Sequence, residues 1–295
     1  MVRIKFLGGC REVGASAILI QSDKTENALL LDYGIRLQRK GNILPLNVEG
    51  IKLVAVALSH CHIDHSGNLP SLYSNSQVPL FTNELTYRII EILIRDAFKI
   101  SKFKIKYSNQ ELNKMGISSY FLEYGTRQRI DNNFYITLKD AGHVPGSCSI
   151  LVEVDGKKIL YTGDINTQKT RLVNSIDVHD VPEFDWLIIE STYALRDHRP
   201  RDEIEKEFIE NVNIIIEDKG RVLIPAFAVA RSQEVLSILY HYGYRGNLFL
   251  DGMARKISEI YFGYAKFLRD PREFQKAVNN ATFILNSRSK RDRKI

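Results

Sequence analysis

The chain is predicted to be an α/β protein, with a strand-rich first part followed by a doubly wound α/β second part. Three observations carry this. From residue 2 to residue 189, short apolar runs of four to six residues succeed one another, broken by turn-forming residues. After about Tyr193 the rhythm changes, and strand-like runs alternate with helical periodicity, as in parallel strands joined by helices. One apolar run, Leu53-Val54-Ala55-Val56-Ala57-Leu58, passes directly into Ser59-His60-Cys61-His62-Ile63-Asp64-His65. That places a chemically rich segment at the end of a buried strand, where loops carry function. The expected division is a first domain over 1–193 and a second over 194–295.

Taken in order, strands are expected at 2–7, 17–20, 28–32 and 53–58. A mixed stretch follows. Within it, residues 84–99 carry Leu85, Ile89, Ile92, Leu93 and Ala97 at helical spacing. Strands resume at 134–138, 149–154, 158–162 and 186–189, and Asp155-Gly156 marks a tight hairpin between two of them. In the second part, 201–217 reads as a helix, 221–224 as a short strand and 230–242 as a helix. A strand at 247–250 and a helix over 254–268, ending near Asp270-Pro271, complete it. The basic residues 287–295 read as a solvated terminus or as an arm contacting RNA.

The 295 residues are 44% hydrophobic and 26% charged, a balance that supports a sizeable core. No run is long and apolar enough to span a membrane, and the first residues do not resemble a secretory signal. Three cysteines, Cys10, Cys61 and Cys148, do not make a disulfide framework, so a reducing cytoplasm is expected. On an extended backbone Cys61 points away from His60 and His62, so a buried, inert thiol is expected. A net charge of +6 allows a polyanionic partner without requiring one.

Three of the chain's seven histidines fall within His60–His65. His60 and His62 lie two apart and project to the same side of an extended backbone, so both can share one ion. Asp64 and His65 follow once the chain turns and can serve a second. Nitrogen and oxygen donors of this kind suit zinc, two ions more easily than one. Completing two sites requires donors from elsewhere. His143, in Ala141-Gly142-His143-Val144-Pro145-Gly146-Ser147, and Asp164, in Tyr161-Thr162-Gly163-Asp164, are the candidates. Asp32 ends an apolar run and is either a turn residue or an acceptor behind a metal-bound imidazole. A paired-ion site points to hydrolysis and leaves phosphodiesters, esters, thioesters and lactams open.

Asp32, His60-x-His62-x-Asp64-His65, His143 and Asp164, in that order, resemble the metallo-β-lactamase superfamily. The resemblance implies an αββα sandwich with the metals at one edge. It also implies His60, His62 and His143 on one zinc, Asp64 and His65 on the other, Asp164 bridging, and Asp32 orienting. Gly8-Gly9-Cys10-Arg11-Glu12-Val13-Gly14-Ala15-Ser16, Glu190-Ser191-Thr192-Tyr193 and Pro225-Ala226-Phe227-Ala228-Val229-Ala230-Arg231-Ser232-Gln233-Glu234 narrow the likeness. So does Asp251-Gly252-Met253-Ala254. These stretches are similar to the β-CASP nucleases, and most to archaeal proteins like the cleavage and polyadenylation specificity factor nuclease. By that resemblance the fold is an incomplete metallo-β-lactamase sandwich followed by a partial β-CASP cap. Asp64, Asp164 and Glu190 are then catalytic, and Ser147 and Arg231 are substrate contacts. The substrate is single-stranded RNA, cut internally or from the 5′ end, and a homodimer is compatible with the family.

One departure follows. The family's cap leads into a returning segment with two further histidines, whereas no histidine follows Met253 here. The expectation is a weaker second zinc site, a Glu190 without its histidine partner, and a weak or inactive nuclease. A catalytically inactive RNA-binding scaffold and a small-molecule metallo-hydrolase stand as alternatives. The α/β stretch after Tyr193 speaks against the latter.

Overall fold

Alternating burial along short strands builds two facing sheets. In the computed structural model, which describes residues 2–38, 41–99 and 107–283, Cys148, Ile150, Val152 and Val154 all face the core. The intervening Ser149, Leu151 and Glu153 lie on the other face, the period of two that a strand imposes. The first sheet comprises β1 (Arg3–Gly8), β2 (Ala17–Gln21), β3 (Ala28–Leu31), β4 (Leu53–Ala57), β5 (Leu80–Thr82) and β6 (Ser119–Phe121), adjacent in that order. Its first two pairings are antiparallel and its last three parallel. The second comprises β7 (Arg127–Arg129), β8 (Phe134–Asp140), β9 (Cys148–Val154), β10 (Lys157–Tyr161) and β11 (Trp186–Ile188), in the order β11-β10-β9-β8-β7.

A single apolar cluster joins them. Ile18, Leu29, Leu31, Ala55 and Ala57 of the first sheet belong to it, with Phe134, Ile136, Ile150, Val152 and Ile159 of the second. Leu30 and Val56, on the opposite face of the first sheet, are also fully buried, as expected of central parallel strands covered on both sides. The helices of this part are α1 (Ile63–Ser66), α2 (Glu84–Lys99) and α3 (Asn109–Ile117). The turn at Asp155-Gly156 has φ of 52° and 80°, both left-handed, as a two-residue hairpin needs.

The chain divides into two compact units, Met1–Gln168 with Ser175–Thr192, and Lys169–Asn174 with the described residues from Tyr193 onward. The second unit holds α4 (Arg201–Glu217), α5 (Arg231–His241), β12 (Phe249–Leu250), α6 (Met253–Gly263), α7 (Pro271–Asn279) and β13 (Thr282–Phe283). Strands β12 and β13 pair in parallel. Ile209, Val212, Ile238 and Leu239 form its core, with Phe208, Val235 and Leu248 packed against them.

Two sequence expectations are corrected here. Residues 221–224 form no strand, and Leu223 is 91% exposed. An apolar run becomes a strand only where an edge accepts it, and among the described residues β12 pairs with β13 instead. Asp270-Pro271 starts a helix and does not merely end one. The Asp270 side chain accepts from the Glu273 amide at 2.8 Å, and Pro271 takes the first helical position, where a missing N–H costs nothing. The basic stretch 287–295 lies outside the described residues.

Candidate metal centre

The ends of β3, β4, β9 and β10 supply the site. Beyond β4, Leu58 leads into the histidine motif, and α1 turns Asp64 and His65 back toward it. The returning chain is held by backbone bonds: Asp32 N to Ala57 O at 3.0 Å, Tyr33 N to His65 O at 2.8 Å, and Ser16 N to Asp64 O at 2.9 Å. Gly34 runs so close to this turn that a side-chain carbon there would lie 1.6 Å from the Asp64 carbonyl oxygen. On the opposite sheet, the Cys148 amide donates to Ser59 O at 2.8 Å and pins β9 to the motif. Gly163 adopts φ of 54°, and a side-chain carbon there would come 2.8 Å from Ser59 Cβ. That close turn delivers Asp164.

One ligand atom each from His60, His62, His143 and Asp164 lie within 4.8 Å of one another. His62 Nδ1 is 3.1 Å from His60 Nε2 and 3.3 Å from His143 Nε2. The two oxygens of Asp164 divide. Oδ2 lies 3.7 Å from His60 Nε2 and 3.6 Å from His143 Nε2, while Oδ1 lies 3.2 Å from His65 Nε2. Asp64 Oδ2 stands 4.0 Å from His65 Nε2. His60 is fully buried, whereas His62, His143 and Asp164 are half-buried, so the group opens to solvent on one side.

Asp32 organises the imidazoles from behind. It is fully buried, holds the left-handed φ of 56°, and accepts four hydrogen bonds. Oδ1 receives the Ser59 amide at 2.7 Å. Oδ2 receives the Ser59 hydroxyl at 2.8 Å, His65 Nδ1 at 2.7 Å and the Tyr161 hydroxyl at 2.7 Å. A carboxylate only accepts, so His65 donates from Nδ1 and turns Nε2 toward Asp164. Ser59 has its proton on Asp32, so its oxygen accepts from His60 Nδ1 at 3.1 Å, and His60 Nε2 faces the cluster. One carboxylate thereby sets the orientation of two imidazoles. The sequence reading found Asp32 and missed Ser59 and Tyr161; Ser59 directly precedes the first histidine, while nothing in the sequence marks Tyr161.

The electrostatics follow from crowding. Burial, then the neighbouring His65, His62 and His143, hold His60 well below the ordinary histidine range. Burial acts in the same direction on His65, but its hydrogen bonds to Asp164 and Asp32 outweigh it and hold His65 well above. Burial pushes Asp164 up, and the imidazoles around it, His65 first, bring it down to about 2. Burial raises the Tyr161 phenol well above its usual value, aided by Asp32, so it stays a donor. Cys61 is fully buried and its thiol is pushed up to about 12 by burial.

Three other expected residues lie apart from this group. Ser147 is buried, and its Oγ accepts from the amides of His143 and Val144, both at 3.2 Å. That geometry gives it the His143 loop to hold and leaves it no exposed face for a substrate. Glu190, just after β11, accepts from the Thr192 amide at 2.9 Å, and its own amide donates to Thr162 Oγ1 at 3.3 Å. Arg231 is exposed as the first residue of α5 in the second unit.

The metallo-beta-lactamase superfamily profile matches residues 10–100. The RNase aCSPSF2 of Saccharolobus solfataricus is 36% identical over 283 residues, 95% of this chain and 57% of that protein. The probable RNase MJ4 of Methanocaldococcus jannaschii is 37% identical over 292 residues, 97% of this chain and 68% of that protein. The transcription termination factor FttA of Pyrococcus abyssi is 32% identical over 298 residues, 90% of this chain and 44% of that protein. A solved structure of a protein of unknown function from Enterococcus faecalis superposes with a TM-score of 0.56 at 14% identity. It covers 87% of this chain and 66% of that one, and speaks to the fold alone. The chain belongs to the metallo-β-lactamase superfamily. Within it, the relatives place the chain among the archaeal CPSF-like proteins of the β-CASP branch. It spans little more than half to two thirds of the length of the first two relatives.

Proposed function

We propose that the chain is the metal-bearing part of a zinc-dependent ribonuclease that hydrolyses phosphodiester bonds of single-stranded RNA. The observation that carries this is the convergence of His60, His62, His143 and Asp164 within 4.8 Å, with the second oxygen of Asp164 turned to His65. Ribonuclease is the activity named for two relatives that match nearly the whole chain. The donors fit zinc: three imidazole nitrogens and a carboxylate oxygen suit one tetrahedral site, and their orientation is set from Asp32. In this reading His60, His62, His143 and Asp164 would hold a first ion, and Asp64 and His65 would serve a second. When bound, the ions supply Lewis acidity toward water and toward phosphate oxygens.

The chain's own residues do the rest. Asp32 and Ser59 keep the rings of His60 and His65 in the orientations that face the cluster. Ser147 holds the loop that presents His143. Glu190, whose Oε2 accepts from the Thr192 amide, is the further acidic residue that this reading assigns to catalysis. In this reading the second unit belongs to the cap domain of the family, and the setting is cytoplasmic.

Among the described residues the second position has fewer donors than the first. On these donors the second zinc is expected to bind more weakly than the first, and RNA turnover to be slow. That same shortage favours RNA binding without turnover as the second reading. Zinc content per chain, in wild type and His143→Ala, tests the centre: content should fall by at least one ion, and unchanged content would sink the proposal. A fluorescent single-stranded RNA assay beside a binding titration then separates slow cleavage from binding alone.

A further inference from the structure

A second charged site lies wholly within the second unit. It is a cavity of about 600 Å³ at the start of α4, walled by the 169–174 loop, α4, the end of α5 and Arg269. The volume falls in the range of small-ligand pockets. Its floor is a closed network of two arginines and two carboxylates. Glu205 is 3% exposed; its Oε2 lies 2.8 Å from Arg171 and its Oε1 2.9 Å from Arg201. Glu234, 6% exposed, pairs with Arg201 and accepts from the amides of Arg171 and Leu172, each at 2.8 Å. The floor is therefore held in place before any ligand arrives, and its charges are matched.

The surplus lies at the rim. Lys169, Lys206 and Arg269 line the cavity and are exposed. Among the described residues, Lys169 and Lys206 make no ion pair within 4.0 Å. Arg269 spends one N–H on Thr170 O at 2.7 Å, which ties the 169–174 loop to the stretch between α6 and α7. Counting Asp202, five cationic side chains meet three carboxylates, an excess of two positive charges. The half-buried ring of Tyr242 forms part of the wall, with Arg171 Cζ 5.6 Å from its centroid.

We propose that this cavity is a phosphoryl-binding site, taking the phosphate of a nucleotide. Two uncompensated ammonium groups and a guanidinium around one cavity suit a compact ligand with several acceptor oxygens and more than one negative charge. A single carboxylate would leave most of these donors unused. The Tyr242 ring beside them offers a face on which a base can stack. The nucleotide is either free or one link of an RNA backbone, and the chemistry of the site is the same for both.

Pyrophosphate and adenosine 5′-monophosphate titrated calorimetrically into the full chain test the site. The variants are Lys169→Glu with Lys206→Glu, the arginine pair Lys169→Arg with Lys206→Arg, and Lys256→Glu with Lys276→Glu, the same charge change on α6 and α7. The pocket pair should weaken binding by on the order of a hundredfold, since each of the two charged contacts is worth roughly tenfold. The arginine pair should restore binding, and the α6/α7 pair should leave it near wild type. Equal loss in both glutamate pairs, or no wild-type binding of either probe together with unchanged RNA binding in the pocket pair, would overturn the site. RNA anisotropy then separates the sources. Competition by the mononucleotide, with a salt slope shallower by about 1.4 in the pocket pair, assigns a backbone contact. Mononucleotide binding without competition assigns a free nucleotide. The pyrophosphate arm reads out even if the chain proves not to cleave RNA.

Discussion

Asp32 shows how much one buried residue can decide. Its carboxylate gathers a backbone amide, a serine hydroxyl, an imidazole and a phenol, all at 2.7–2.8 Å. Replacing it with alanine would leave His60 and His65 free to rotate and Tyr161 without its acceptor. Asp32→Ala should lower zinc affinity by about 10- to 100-fold, the usual cost of losing a group that orients a ligand. Chelator-competition titration measures this, and wild-type affinity would remove Asp32 from the orienting role. The cysteines divide by the same local physics. Cys10 is exposed, while Cys61 and Cys148 are buried with thiols pushed up by burial. Iodoacetamide should label Cys10 alone in the native protein, as peptide mass spectrometry would show. Modification of Cys61 under those conditions would mean that the motif opens in solution.

Elements were legible where burial and period agreed. The helix α2 matches its expected bounds, because its apolar residues recur on one face. The hairpin between β9 and β10 follows from Asp155-Gly156 and the alternation on either side. Shorter elements carried less signal. The nine residues of α3 were hidden in the mixed stretch, although Ser108 and Glu111 form a reciprocal cap at its start. The cap of α7 was read as the close of the helix before it, since Pro commonly serves both purposes. Asp270→Ala should cost about 1 kcal/mol by removing the bond to the Glu273 amide. A fall in Tm of roughly 4–8 °C would express that loss in a unit of about 100 residues. An unchanged Tm would mean that packing of Phe274 and Val278, both 2% exposed, carries the helix without its cap.

The centre exists only in the assembled sandwich, because its donors come from the ends of strands in two different sheets. His60 and His62 follow β4, while His143 and Asp164 lie beside β9 and β10. Four electron-rich groups held within 4.8 Å of one another concentrate lone pairs, so an ion there would bind the folded state selectively. Chelation should therefore lower thermal stability. A ligand at a hundred times its dissociation constant contributes about 2.7 kcal/mol. Differential scanning fluorimetry with and without a chelator measures the shift, and re-addition of zinc should reverse it. No shift would show that the cluster holds no tightly bound ion.

The sequence alone determined the fold class, most strand positions and the candidate donors, because alternation, strand-end histidines and glycine-bearing turns are local signals. It could not show that Ser59 and Tyr161 converge on Asp32, or that Ser147 turns inward to hold the His143 loop. Nor could it show that Arg171 and Arg201 share buried carboxylates on α4 and α5, or that 221–224 finds no strand to pair with. Those outcomes depend on which distant backbone lies alongside, and the packing of one element against another is set only when the chain closes on itself.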